Sequence, residues 1–175
     1  MTVLQAEGVS SYGTTSLVLA PTIADPETEV SVAEATGVGT VNASCYTFGD
    51  FMVTTTASKV QKDRRSCQTR RRETFGEKTT TVTAVQYIEG PQDSPSADIN
   101  KVKTAIPEGT EIWIIERRGL PAETEPIVLD DIVNLHLVVM GPANRTKSSD
   151  GDGGEFTITQ EAVHVESYYD IPVVA

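Results

Sequence analysis

The chain has 175 residues, which fits one domain with an appended arm and excludes two large domains, since a single core organises roughly 100 to 150 residues. Apolar residues make up 38% and charged residues 22%, too much hydrophobic content for a wholly disordered chain. Twenty-three Thr and twenty Val against seven Leu disfavour a helical bundle, because β-branched side chains lose χ1 freedom in helices and pack well on a pleated surface.

Net charge is −11, distributed unevenly: residues 1 to 58 carry six acids and no base, residues 59 to 78 carry eight bases against three acids, and the remainder carries sixteen acids against six bases. A basic segment inside an acidic chain reads either as a nucleic-acid patch or as a partner for acidic surface on another copy. The second is preferred, because a globally negative protein repels a polyanion. No stretch approaches the ~20 apolar residues of a membrane-spanning helix, and no base precedes Lys59, so a soluble, non-exported cytoplasmic product with no membrane partner is expected.

Residues 1–40 alternate small, polar and turn residues, with one strand predicted at Thr15–Leu19; they read as an extended arm that orders on a partner, ahead of a domain over 41–175. Val41–Phe48 and Phe51–Thr56 read as short strands around Gly49-Asp50. Cys67–Phe75 and Lys78–Ile88 read as a hairpin turning at Gly76-Glu77. Ser94-Pro95 supplies an N-cap and a first-turn proline for a short helix whose apolar stripe is Ile99, Val102 and Ile106. The run Ile112-Trp113-Ile114-Ile115 suits a strand buried on both faces. A segment over 127–140 follows, closed by Gly141-Pro142, and then Phe156–Tyr168, where the inward parity switches midway from Phe156, Ile158 and Ala162 to Val163 and Val165 and predicts a bulge or a strand shared between two packed sheets. From Cys67 the order is strand, strand, helix, strand, strand, strand.

Few constellations carry chemistry. His136, His164, Cys45 and Cys67 could make a four-ligand zinc site, but the spacing of the two cysteines matches no compact ligand pairing, and neither cysteine has a flanking motif for nucleophilic catalysis. Asp150, Asp152 and Glu161 occupy three positions of a calcium-loop template that fails at Gly154 and Glu155. Gly37-Val38-Gly39 lacks the third glycine of a nucleotide loop. No catalytic residue, metal ligand or cofactor is therefore assigned, and the chain is not expected to be an enzyme. Arg64, Arg65, Arg70, Arg71 and Arg72 form a guanidinium-rich segment suited to bidentate carboxylate pairing on another subunit.

The stretch Thr79–Tyr87, the Ser94-capped helix to Ile106, the segment Glu108–Gly119 and the closing strands Val133–Met140 and Phe156–Val165 together resemble the major tail tube protein of long-tailed, non-contractile bacteriophages. The resemblance covers roughly residues 41 to 175 and rests on element order and local flavour. It implies two packed antiparallel sheets (a β-sandwich or barrel) flanked by one short helix, with an extended arm and a long inter-subunit loop. It implies hexameric rings stacked into a tube that conducts genomic DNA without binding it. Self-association, contacts with tape measure, tail terminator and distal tail proteins, and a place in the virion tail after assembly in the host bacterial cytoplasm follow from the same resemblance. A negatively lined bore would keep the duplex off the wall, and Glu161 and Glu166 are the lumen candidates by strand position. The alternative is an acidic β-sandwich binding module of a virion, a head-tail connector or decoration protein, for which Tyr168-Tyr169 is the densest aromatic candidate.

Overall fold

A computed structural model describes residues 13–49, 51–63, 66–67, 69–70, 72–90, 98–122, 126–147 and 154–175. The protein is mainly β, with a curled sheet, a second small sheet and short helices. In chain order the elements are β1 (Thr15–Ala20), β2 (Val30–Ser31), α1 (Val32–Thr36), β3 (Val41–Asn42), β4 (Thr47–Phe48), β5 (Val53–Lys62), β6 (Arg72–Val82), β7 (Val85–Ile88), a 3-10 turn at Asp98–Asn100 leading into α2 (Lys101–Ala105), β8 (Glu111–Arg118), β9 (Ile132–Lys147) and β10 (Phe156–Val174).

The large sheet runs β3-β1-β8-β9-β10-β7-β4, antiparallel throughout, with β2 added in parallel to the end of β10. Strand alternation sends side chains to two apolar clusters, one on each face. Leu17, Leu19, Ile112, Ile114, Val138, Met140 and Ile158 join one cluster, covered by Phe51, Val102 and Ile106. Val18, Ala20, Trp113, Ile115, Val133, Leu135 and Leu137 join the other, covered by Ile23, Val30, Ala35 and Ile127. The expected doubly buried run at 112–115 is thus buried on both faces. Val102 and Ile106 of the expected helical stripe are buried beneath it, whereas Ser94-Pro95 lies outside the described residues.

Several sequence expectations change. The stretch read as an arm divides: residues 1–12 lie outside the described residues, and β1 pairs with both β3 and β8 as an internal strand. After it α1 forms because Ser31 and Glu34 make a reciprocal capping box, Glu34 N–H donating to Ser31 Oγ (3.2 Å) and Ser31 N–H to Glu34 Oε2 (2.9 Å). Gly76-Glu77 is no turn, since β6 runs through it and pairs with β5 from Val53↔Val82 to Lys62↔Arg72. The ladder carries one extra residue there, opposite Ser58, and a Cβ on Gly76 would stand 2.6 Å from Ser58 Oγ. Gly141-Pro142 does not end β9 either. The pairs Gln160↔Ala143 and Ala162↔Met140 leave these two residues opposite Glu161 alone, and a bulge is where a strand tolerates a proline. Val41–Phe48 is broken into the two short pieces β3 and β4. The bulge expected in β10 is present, as shifts at His164/Glu166 and Tyr168/Ile171, the second containing Asp170 at φ 58°, but Val163 and Val165, read as turning inward, precede the first of these shifts or form it and are exposed.

Candidate assembly surface

β5 and β6 form a two-stranded sheet of their own. Val53 and Val82 at its root pack on the first cluster, and beyond them most side chains are exposed. Threonines oppose threonines at Thr54↔Thr81, Thr55↔Thr80 and Thr56↔Thr79, with a hydrogen bond between the hydroxyls of Thr55 and Thr80 (2.9 Å), so the ribbon is held by strand propensity and cross-strand pairs rather than by a core. An isolated hairpin is marginal in water, and this one exposes Val60 and Phe75. Of the arginines assigned to subunit contact, Arg70 is exposed, Arg72 is the last residue of the ladder, and Arg64, Arg65 and Arg71 lie outside the described residues.

A second surface lies on β10. Its first residues pair with β7 (Thr157–Gln160) and its last with β2 (Val173–Val174). Between them, from Glu161 to Pro172, no described strand pairs with the side away from β9. Partners across a ladder share a face. Val163↔Val139 and Glu166↔Leu137 therefore put Val163 and Glu166 on the side of the second cluster, and Glu161, adjacent to Ala162 on the opposite parity, joins them. Glu111, opposite Val139 on β8, lies on this side too. The two lumen candidates thus share one sheet face with a third carboxylate and the exposed Val163 and Val165. Tyr168 and Tyr169, read as one aromatic patch, are split: Tyr168 packs near Trp113 and donates to Glu166 Oε2 (3.1 Å), while Tyr169 meets the His136 ring edge-on.

On the opposite face the bulge brings the two histidines together. Ser167, directly across from His136, has its Oγ 2.8 Å from His136 Nδ1 and 2.8 Å from His164 Nε2. Behind them Glu116 Oε2 stands 3.8 Å from His136 Nε2 and the carboxylate accepts from Arg118 (2.8 Å) and Asn134 (3.1 Å). Cys45 and Cys67 are exposed. Sequence reasoning missed this bridge because only the shifted register reveals it.

Burial pushes the Glu116 carboxyl up, but the His136 ring, Arg118 and Asn134 outweigh it and hold it below 4.5. Burial, then repulsion from His136, holds His164 below 6.5 against the attraction of Glu166. In both cases the unfolded chain takes up the proton first as pH falls. Stability is therefore full above about 6.5, starts to decline below it as His164 resists protonation, and declines again below about 4.5 as Glu116 does. Urea midpoints at successive pH values should show both steps, and His164→Asn should flatten the first; an unchanged first step would contradict the assignment.

No curated protein sequence matches the chain. A family profile described as phage tail tube protein matches residues 4–167, a span that takes in the two-stranded ribbon and the first part, 161–167, of the open edge of β10. The chain belongs to the phage tail tube protein family and is a structural component of a virion tail.

Proposed function

We propose that copies of this chain close into hexameric rings that stack as the tail tube of a long-tailed, non-contractile phage, with an anionic bore through which genomic DNA leaves the virion. The observation that carries this reading is the open edge of β10 beside a face bearing Glu111, Glu161 and Glu166. A long unpaired edge is a template for another chain. When it is filled by a neighbouring copy, the adjoining face repeats around the ring as a carboxylate-lined wall that repels phosphates. A strand other than β10 fills the edge from the neighbouring copy, which makes the contact heterologous, able to close by rotation or propagate along an axis.

The β5–β6 ribbon, the segment of Arg64, Arg65, Arg70, Arg71 and Arg72 that joins its strands in sequence, and residues ahead of Gly13 make the remaining inter-subunit contacts. Tape measure, tail terminator and distal tail proteins meet the tube's ends or interior, and assembly takes place in the host bacterial cytoplasm. Purified protein should form rings or tubes by negative-stain microscopy at high concentration. Reversing Arg64, Arg65, Arg70 and Arg72 to Glu should raise the concentration needed by roughly tenfold or more, and added salt should weaken the unmodified assembly. A monomer at every concentration, even with nucleating tail components, would overturn the proposal.

A further inference from the structure

The face of the β5–β6 ribbon that packs on its own core does not stop where the core stops. Val53, Thr55, Ala57 and Lys59 share that face with Val82, Thr80, Lys78 and, after the bulge, Phe75. Phe75 is 74% exposed. It lies seven residues of strand from Val82, roughly 20 Å along a ribbon that carries one bulge between them, and its exposure leaves the ring unpacked on its own domain. Lys59 is directly opposite Phe75, and Glu73, paired with Gln61, follows on the same face. The tip thus presents one aromatic ring between a cation and a carboxylate.

Elsewhere on the molecule an open cleft of about 330 Å³ lies beside α2. A cavity of about 150 Å³ suffices to hold benzene. Ile106, Pro107, Ala143 and Ile158 make its walls apolar. At its rim Lys103 Nζ and Arg145 Nε each donate to the same oxygen of Glu89 (2.9 Å), and Glu108 also lines it. Lysine and arginine carry more donors than one bond uses, so the rim can take a further carboxylate.

We propose that Phe75 of one copy seats in this cleft of a second copy, with Glu73 meeting Lys103 and Arg145 and Lys59 meeting Glu108. The docking rests on the tube assembly proposed above and names the receiving surface for the ribbon. An aromatic anchor in an apolar pocket ringed by complementary charge is the usual form of an interface hot spot. Its two halves are different patches of the same chain, as a stack that grows without closing requires.

The test uses full-length protein with Cys45→Ser and Cys67→Ser. One preparation carries Gln61→Cys, beside Phe75 on the same face and leaving the ring in place, and a second Ala143→Cys, and the two are mixed, assembled and treated with a short bis-maleimide. The expected product is a covalent dimer containing one copy of each variant, absent when either is treated alone. Phe75→Ala and the cleft-filling Ala143→Trp should each raise the assembly concentration by roughly tenfold or more, with Phe75→Trp retaining assembly. Tubes that form without the mixed dimer and at unchanged concentration overturn the docking and leave the tube standing. Failure of the unmodified protein to assemble under any condition overturns both.

Discussion

Replacing Asp131 by alanine is expected to destabilise the fold by about 3 to 5 kcal/mol. Arg117 projects from β8 on the side of the second cluster and is 2% exposed. One of its terminal nitrogens donates to Asp131 Oδ2 (3.0 Å) and to the Pro126 carbonyl (2.7 Å); the other donates to Ser16 Oγ (3.2 Å) and the Pro121 carbonyl (3.4 Å). Asp131 Oδ2 also accepts from Val128 N–H (3.0 Å). One carboxylate therefore neutralises a buried guanidinium and fixes the chain leading into β9. Without it the charge stays in an apolar setting with only neutral acceptors among these contacts, a larger loss than any surface pair could cause. Urea unfolding should show a lower midpoint with an unchanged slope. Replacing Arg117 by Met together with Asp131→Ala should cost less than the sum of the single changes, because the stranded charge is removed with its partner. A loss below about 1 kcal/mol for Asp131→Ala would mean that the pair is not the anchor described.

The second large effect is on assembly. Ala57 and Lys78 are direct partners in the β5–β6 ladder, so residues 58–77 can be cut out and the strands rejoined through Asn-Gly, a two-residue turn suited to hairpin twist. Val53 and Val82 stay on the core, and the removed portion buries little of the domain. The shortened protein should unfold within roughly 1 kcal/mol of the parent. It should form no tubes at concentrations where the parent does, since the basic segment and Phe75 are gone. Tubes of normal yield and length would contradict the role given to the ribbon, whereas a collapse in stability would show that the ribbon belongs to the core.

The parts of this fold that could be read in advance are those where a strong local pattern agrees with burial. Ile112–Ile115 has apolar residues on both parities, which only a strand covered on both faces accommodates. A bulge in β10 is one of two readings of its change of apolar parity and is present at His164/Glu166, although Val163 and Val165, whose parity suggests it, are exposed. What escaped was decided between distant segments. Gly76-Glu77 and Gly141-Pro142 look like turns in isolation, but each sits where one ladder carries an extra residue. A bulge and a turn draw on the same residue types. The true connection between β5 and β6 lies in a charged stretch, 63–71, without glycine or proline to mark it. Ser31 and Glu34 did carry a readable signal, the capping box of α1, hidden inside a segment read as an arm. The lumen candidates Glu161 and Glu166 differ in sequence parity, yet Val165 is an extra residue in the ladder and brings them to one face.

The most direct test is a density map of the assembled tube at side-chain resolution. Residues 161–172 of β10 are expected to pair with a neighbouring copy, and Glu111, Glu161 and Glu166 to face the bore. An inner wall lined by Lys and Arg, or a β10 edge left open to solvent in the assembled particle, would contradict that expectation.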